Sequence, residues 1–400
     1  MTNNETLMDY DIAIIGAGIS GAGMAQAAAA AGYKVLLLEQ TAIACATSSR
    51  SSKLIHGGLR YLESAQFSLV RESLQERALL LQLAPDLVKL APLHIPIYRD
   101  SQRSPLTITA GLSLYRLLSG LARNTRFTRL EKSQWSHLDG LKTDQLKAVF
   151  RYQEAQTDDR ALTAAVVHSA QQLGAELLLP ATFSGAHITP EHCDVRYRHN
   201  GREQQVRAAM LINCAGPWAS AINQLITPTP TLPEVELVQG AHLLLPPILQ
   251  HHYYLESPSD GRAVFALPWQ GKLLLGTTET PYSGDPAKAH CHPHEMHYLL
   301  DVLKHYFPTL PTLASSAESF AGLRVLPRTR GQAFGRSRES IMELGPHQHN
   351  RALTLMGGKL TTYRATAEQA LKKITPRLPV RRARADTRTL HLSGEPSSTR

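Results

Sequence analysis

Asp11-Ile-Ala-Ile-Ile-Gly16-Ala-Gly18-Ile-Ser-Gly21 decides the fold. Asp11 to Ile15 is a β-branched run that closes on Gly16, as a short buried strand does. Ser20 to Ala31 reads as a helix of small residues, and Val35 to Leu38 as a second buried strand ending at Glu39. A G-x-G-x-x-G spacing between strand and helix, with an acid about 20 residues on, is the fingerprint of a dinucleotide-binding βαβ unit. Gly16 permits the tight turn, Gly18 lets backbone approach a pyrophosphate, and Gly21 allows the helix to pack closely. The helix N-terminus favours the phosphate charge. Glu39 is placed to accept both hydroxyls of an unphosphorylated adenosine ribose.

The fingerprint alone does not separate FAD from NAD, so the next segment carries the choice. Ala46-Thr-Ser-Ser-Arg-Ser-Ser-Lys-Leu-Ile-His-Gly-Gly-Leu-Arg-Tyr-Leu-Glu63 is dense in hydroxyls and holds a basic side chain and a glycine pair. Such a segment suits wrapping a pyrophosphate and lying against a flavin ring. Thr47, Ser48, Ser49, Ser52, Lys53, Leu54, His56, Gly57 and Gly58 are therefore candidate FAD contacts. The T-S-S-R-S-S half alone would also read as a flexible serine loop; the K-L-I-H-G-G-L-R-Y-L-E half is not low-complexity sequence.

Further out, Leu69 to Leu90 reads as an amphipathic helix broken at Ala84-Pro85-Asp86, and Ile108 to Leu121 as another, both in a cap-like insertion. A helix over Arg160–Leu173, a strand over Glu176–Leu179 and a buried strand over Ala208–Asn213 resume the nucleotide domain. There Cys214-Ala215-Gly216 lets backbone approach the dinucleotide. Val235 to Thr278 shows short apolar runs with polar, Gly and Pro punctuation, as expected of a β-rich substrate domain. A helix from His294 to Phe307, a strand over Leu353–Met356 and a helix from Thr361 to Ile374 complete the pattern. Gly358, Lys359, Leu360 and Thr361 open that last helix and are placed to face the electron-rich end of a flavin.

The expected class is α/β, with a discontinuous Rossmann-like FAD-binding domain (1–92, 150–234 and 320–379), a β-rich substrate-binding domain and a helical cap (93–149 and 235–319). A loosely ordered basic tail (380–400) follows.

Composition narrows the function classes. Over 400 residues, a hydrophobic fraction of 43% against 19% charged residues permits a sizeable core and excludes a disordered chain. The four cysteines, Cys45, Cys193, Cys214 and Cys291, form neither a C-x-x-C pair nor a secreted framework, so reduced cytosolic thiols are expected. The N-terminus lacks a secretory pattern, and no apolar run is long enough to span a bilayer. The net charge of +9 is scattered and accompanies no nucleic-acid module. Nucleic acid is therefore not an expected partner; peripheral contact with acidic headgroups is the better reading. His290-Cys-His-Pro-His-Glu-Met-His297 is rich in metal-ligand types, but its spacing is not H-E-x-x-H. It reads as a histidine-rich loop entering a surface helix, and no metal site is expected.

Several motifs in order resemble the FAD-dependent glycerol-3-phosphate dehydrogenases, within the wider glycine/D-amino-acid-oxidase-like flavoproteins. They are A-C-A-T-S-S (44–49), S-K-L-I-H-G-G-L-R-Y-L-E (52–63), N-C-A-G-P-W-A (213–219), Q-G-A-H (239–242), D-G-R-A-V-F-A-L-P-W (260–269), L-G-T-T-E (275–279), G-L-R-V-L (322–326) and G-G-K-L-T-T-Y-R (357–364). The resemblance runs from about Asp11 to Ile374. It implies oxidation of sn-glycerol 3-phosphate to dihydroxyacetone phosphate, hydride passing from C2 to flavin N5 and electrons leaving to a quinone. It also implies a cytoplasmic protein attached peripherally to the inner face of the membrane, and a homodimer.

Arg324, Arg338 and Lys359 fall where that family's substrate cations lie, and a phosphate monoester needs two or three such fixed cations. The substrate hydroxyl must also lose a proton; His56 and His242 are the candidate bases, while Arg324 can stabilise the alkoxide. Val325 stands where the family usually has proline, and Gln239 where lysine is common. Members usually continue for roughly another hundred residues as a helical domain, so the chain, ending at Arg400, reads as a truncated form or a short variant. Competing functions are an oxidase or dehydrogenase of another small 2-hydroxy or amino acid, and a catalytically inactive FAD-binding protein.

Overall fold

The computed structural model describes residues 8–311, 316–328, 340–345 and 349–394. Its first sheet is built on Tyr10–Ile15, which pairs in parallel with Val35–Leu38 on one side and with the second half of Arg202–Asn213 on the other. Glu176–Leu178 and Ala352–Gly357 extend this parallel core outward. Its strands are apolar on both faces because helices cover one and the strands Ala181–Ile188 and Cys193–His199 cover the other. Helix Ile19–Ala30 is buried from Gly21 to Ala30, which only a small-residue helix permits. Helices Asp159–Gln172 and Tyr363–Ile374 pack directly against it. Ala181–Ile188, Cys193–His199 and the first half of Arg202–Asn213 add an antiparallel meander in which Cys193, Val195 and Tyr197 face inward and Arg196 and Arg198 outward.

The second sheet is mostly antiparallel. Val235–Leu245 lies between Glu318–Pro327 and Lys272–Gly276, and the sheet continues through Ala263–Trp269 and His252–Glu256 to Val88–Tyr98 and Leu146–Thr157. Helix Pro293–Tyr306 buries Leu299, Val302, Leu303 and Tyr306 against one face. Helix Pro105–Leu118 covers the other with Ile108, Leu112 and Tyr115.

Three sequence expectations change here. The helix expected to reach Leu90 ends at Leu83, and Leu90 lies on the Val88–Tyr98 strand; Pro92 and Pro96 hide that strand from a propensity reading. Residues 88–92, 150–157 and 320–327, expected in the nucleotide domain, run in the second sheet, because Val88–Tyr98 pairs with Leu146–Thr157 and Glu318–Pro327 pairs along its length with Val235–Leu245. The described part of the basic tail is docked. Arg381 forms two hydrogen bonds to Asp11 (3.0 and 2.8 Å), the Arg384 N–H donates to Ala30 O at 2.7 Å, and Leu392 is buried in the first core.

Candidate active site

A cavity of about 700 Å³ opens between the two sheets, running from the glycine turn to the strands of the second sheet. That is the scale of a cofactor site. At its dinucleotide end Gly16 has φ +95°, and a Cβ there would lie 2.9 Å from Cys214 O. At Gly21 a Cβ would lie 1.8 Å from Gly16 O, so the helix starts against the turn itself. Beside Gly18, Ser48 Oγ accepts the Ile19 N–H at 2.9 Å. Glu39 faces the cavity and accepts the N–H groups of Ala17 (2.9 Å) and Thr41 (2.8 Å), which fix its carboxylate at the strand end. Ala215 and Gly216 line the same region.

The hydroxyl-rich loop spends most of its hydroxyls on the protein. Thr47 donates to Leu323 O (2.9 Å), Ser49 to Ala46 O (3.1 Å) and Ser51 to Asp159 (2.6 Å), while Ser52 Oγ lies 2.8 Å from His242 Nε2. Thr47, Ser48 and Ser52 still border the cavity, as do Leu54, His56 and Gly58; Ser49, Lys53 and Gly57 do not. Lys53 turns inward, its ammonium 2.6 Å from Asp159 Oδ1 and 2.6 Å from Ser49 O. A fully buried Asp159 requires that counter-charge. Gly57 lies behind the wall, its N–H directed at Tyr115 and Glu154.

On the far side Gly358, Lys359, Leu360 and Thr361 enter the wall through a single 3₁₀ turn, Leu360–Thr362, before helix Tyr363–Ile374. Thr361 Oγ1 accepts the His56 N–H at 3.2 Å, tying this turn to the His-Gly-Gly segment. Lys359 Nζ sits 4.0 Å from the Tyr61 ring centroid and 3.3 Å from Ser73 Oγ. Arg324 reaches Glu279 and Thr277, each at 3.3 Å. Arg338 lies outside the described residues.

Both histidines border the cavity, but they differ in burial and charge. His242 is 2% exposed and stacks on Phe320 at 5.0 Å. Burial, then the charges of Arg324 and Lys53, push it down to about 3, so it is neutral at ordinary pH. His56 is half-buried on the cavity wall. Gln239 points away from the cavity and donates to Glu295 (2.7 Å) and His290 O (2.9 Å), so its neutral amide completes a buried network. His292 caps the following helix, accepting an N–H of its first turn. Among the described residues no group of three or more His, Cys, Asp or Glu converges as a metal site.

Arg60, Tyr61, Arg262 and Glu279 also line the cavity, and the sequence reading passed over them. Their signal was present: each lies inside a quoted motif, L-R-Y-L-E, D-G-R-A-V-F or L-G-T-T-E.

A family model described as FAD dependent oxidoreductase matches residues 11–364. The chain belongs to this family. FAD is the cofactor of this oxidoreductase, and the glycine turn, the fixed Glu39 and the walls from 46–58 and 357–361 form a cradle that fits a dinucleotide. Among relatives, a glycerol-3-phosphate dehydrogenase of Pseudomonas aeruginosa is 36% identical over 374 residues, 92% of this chain and 72% of that one. A D-erythritol 1-phosphate dehydrogenase of Brucella abortus is 33% identical over 373 residues, 91% and 73% of the two chains. The structure of a glycerol-3-phosphate dehydrogenase from Bacillus halodurans complexed with FAD superposes with a TM-score of 0.76 at 26% identity, covering 97% of this oxidoreductase and 68% of that chain.

Proposed function

We propose that this oxidoreductase converts sn-glycerol 3-phosphate to dihydroxyacetone phosphate and passes the electrons to a quinone. When bound, FAD supplies the two-electron acceptor for hydride from C2. The observation that carries the reading is that Arg60, Arg324 and Lys359 line one cavity together with His56. Guanidinium and ammonium groups suit a phosphate dianion. His56 takes the C2 hydroxyl proton. His242 serves poorly as that base, since a group lowered to about 3 holds a proton only weakly near neutrality. Arg324, anchored by Glu279 and Thr277, steadies the developing alkoxide.

A longer polyol 1-phosphate is the second reading, favoured by the Brucella relative. Dye-linked turnover with sn-glycerol 3-phosphate and D-erythritol 1-phosphate as competing substrates decides between them. A higher kcat/KM for the three-carbon substrate supports the first reading, and the reverse order overturns it.

Peripheral attachment to the inner face of the membrane belongs to the same proposal. Leu106, Leu117 and Leu121 are 82%, 62% and 57% exposed, and Arg116, Arg123 and Arg126 lie on or just after the same helix. Apolar side chains flanked by arginines suit an anionic lipid surface. No described helix is long and apolar enough to cross a membrane.

A further inference from the structure

We propose that Tyr115 and Glu154, the latter itself bordering the cavity, are a positioning pair for the His56–Gly58 turn, gripping the Gly57 N–H so that His56 and Gly58 face the cavity. The claim rests on the reading of His56 as the proton acceptor.

The Gly57 N–H donates to Tyr115 Oη at 3.0 Å and to Glu154 Oε2 at 3.3 Å. Tyr115 donates in turn to Glu154 Oε1 at 2.5 Å. Arg77 donates to the Glu154 carboxylate and, at 2.8 Å, to Gln153 O. Three elements meet here: helix Phe67–Leu83 brings Arg77, helix Pro105–Leu118 brings Tyr115, and strand Leu146–Thr157 brings Glu154. All three side chains are buried. The turn is pressed onto them, since a Cβ on Gly57 would lie 2.4 Å from Tyr115 Oη and 2.7 Å from Leu74.

From the opposite direction Thr361 Oγ1 accepts the His56 N–H at 3.2 Å. Two consecutive N–H groups are thus fixed by different parts of the chain, which leaves the peptide between them little freedom to rotate. A buried ion pair is seldom more stable than apolar side chains of the same volume. What Arg77 and Glu154 supply that an apolar pair would not is a directed acceptor for Gly57. Burial raises the Tyr115 phenol well above its usual range, with the Glu154 charge adding to it, so the phenol keeps the proton it donates.

The test uses the purified holoenzyme and two variants. Tyr115→Phe removes the nearer of the two acceptors and the hydroxyl that orients Glu154, while leaving the Arg77–Glu154 pair in place; Glu154→Gln weakens both links and also leaves Arg77 without its counter-charge. Amide exchange across residues 56–58, the thermal midpoint, and the rate and half-saturation of anaerobic flavin reduction by sn-glycerol 3-phosphate are read together. In Tyr115→Phe the turn should exchange about tenfold faster while the Tyr10–Ile15 strand exchanges as before. The limiting reduction rate should fall about ten- to a hundredfold with half-saturation little changed, as expected when a reacting group is misplaced rather than a binding group lost.

Unchanged exchange at the turn overturns the proposal. So does faster exchange spread evenly over both sheets, which would make the cluster merely structural, or faster exchange at the turn with an unaltered reduction rate. If sn-glycerol 3-phosphate fails to reduce even the parent enzyme, the functional reading falls. The exchange comparison then still decides whether the pair holds the turn.

Discussion

Ser52 Oγ lies 2.8 Å from His242 Nε2, and that contact, with Phe320 stacked 5.0 Å from the ring, encloses one of the two histidines that the sequence offered as a base. Both histidines border the cavity, but His56 is the more exposed, and it is left for proton transfer. His56→Ala should lower kcat by about 10²–10⁴-fold, the usual worth of a positioned base. His242→Asn, which removes one buried hydrogen-bond partner, should lower it by less than about tenfold. Equal losses in dye-linked turnover would contradict the assignment.

Acid should destabilise the fold through its neutral histidines. Burial is the first cause in each case: from an ordinary 6.5, His242 is lowered to about 3, and His94 and His252 to about 4. Between those values and 6.5 the unfolded chain binds protons that the folded chain refuses, so stability is complete above about 6.5 and declines as pH falls through that window. Thermal midpoints measured across the window should fall less steeply in His242→Asn than in the parent. An identical slope would show that His242 is already protonated in the folded protein.

Gly21→Ala should yield a protein without bound flavin. The added Cβ would meet the Gly16 carbonyl at 1.8 Å, a backbone atom with nowhere to move, so the turn must open. The flavin-to-protein absorbance ratio after purification reads this directly, and a fully yellow variant would contradict it.

Arg324→Met should act on substrate binding. Loss of a charge-assisted contact of about 1.5–3 kcal/mol corresponds to a decrease of about 10- to 150-fold in kcat/KM. Bound flavin should be retained, and a variant with unaltered kcat/KM would remove Arg324 from the site.

Leu106→Glu combined with Leu117→Glu should abolish flotation with phosphatidylserine vesicles and leave turnover with soluble dyes intact, since both side chains are largely exposed. Undiminished flotation would place the lipid contact elsewhere.

The βαβ unit from Tyr10 to Leu38 was legible because everything that specifies it is local: an apolar run, glycines at fixed spacing, a helix of small residues and a second apolar run. Residues 320–327 were assigned to the wrong sheet because their partner strand, Val235–Leu245, lies some eighty residues earlier. The docking of the tail depends on Arg381 meeting Asp11, a pairing across 370 residues that no local pattern announces. Gly16, Gly18 and Glu39, which the spacing singled out, border the cavity, and Gly21 packs against the Gly16 carbonyl. Lys53 was misjudged as a wall residue because its partner Asp159 belongs to another helix. Arg60 and Tyr61 were missed because an arginine and a tyrosine in a loop read as ordinary surface until Lys359 is seen beside the tyrosine ring.

The most direct test of the central claim is the visible spectrum of the purified protein before and after anaerobic addition of sn-glycerol 3-phosphate, with D-amino acids and free glycerol as controls. A flavin spectrum bleached by glycerol 3-phosphate and by neither control is the predicted result. A flavin that glycerol 3-phosphate leaves oxidised would contradict the proposed activity.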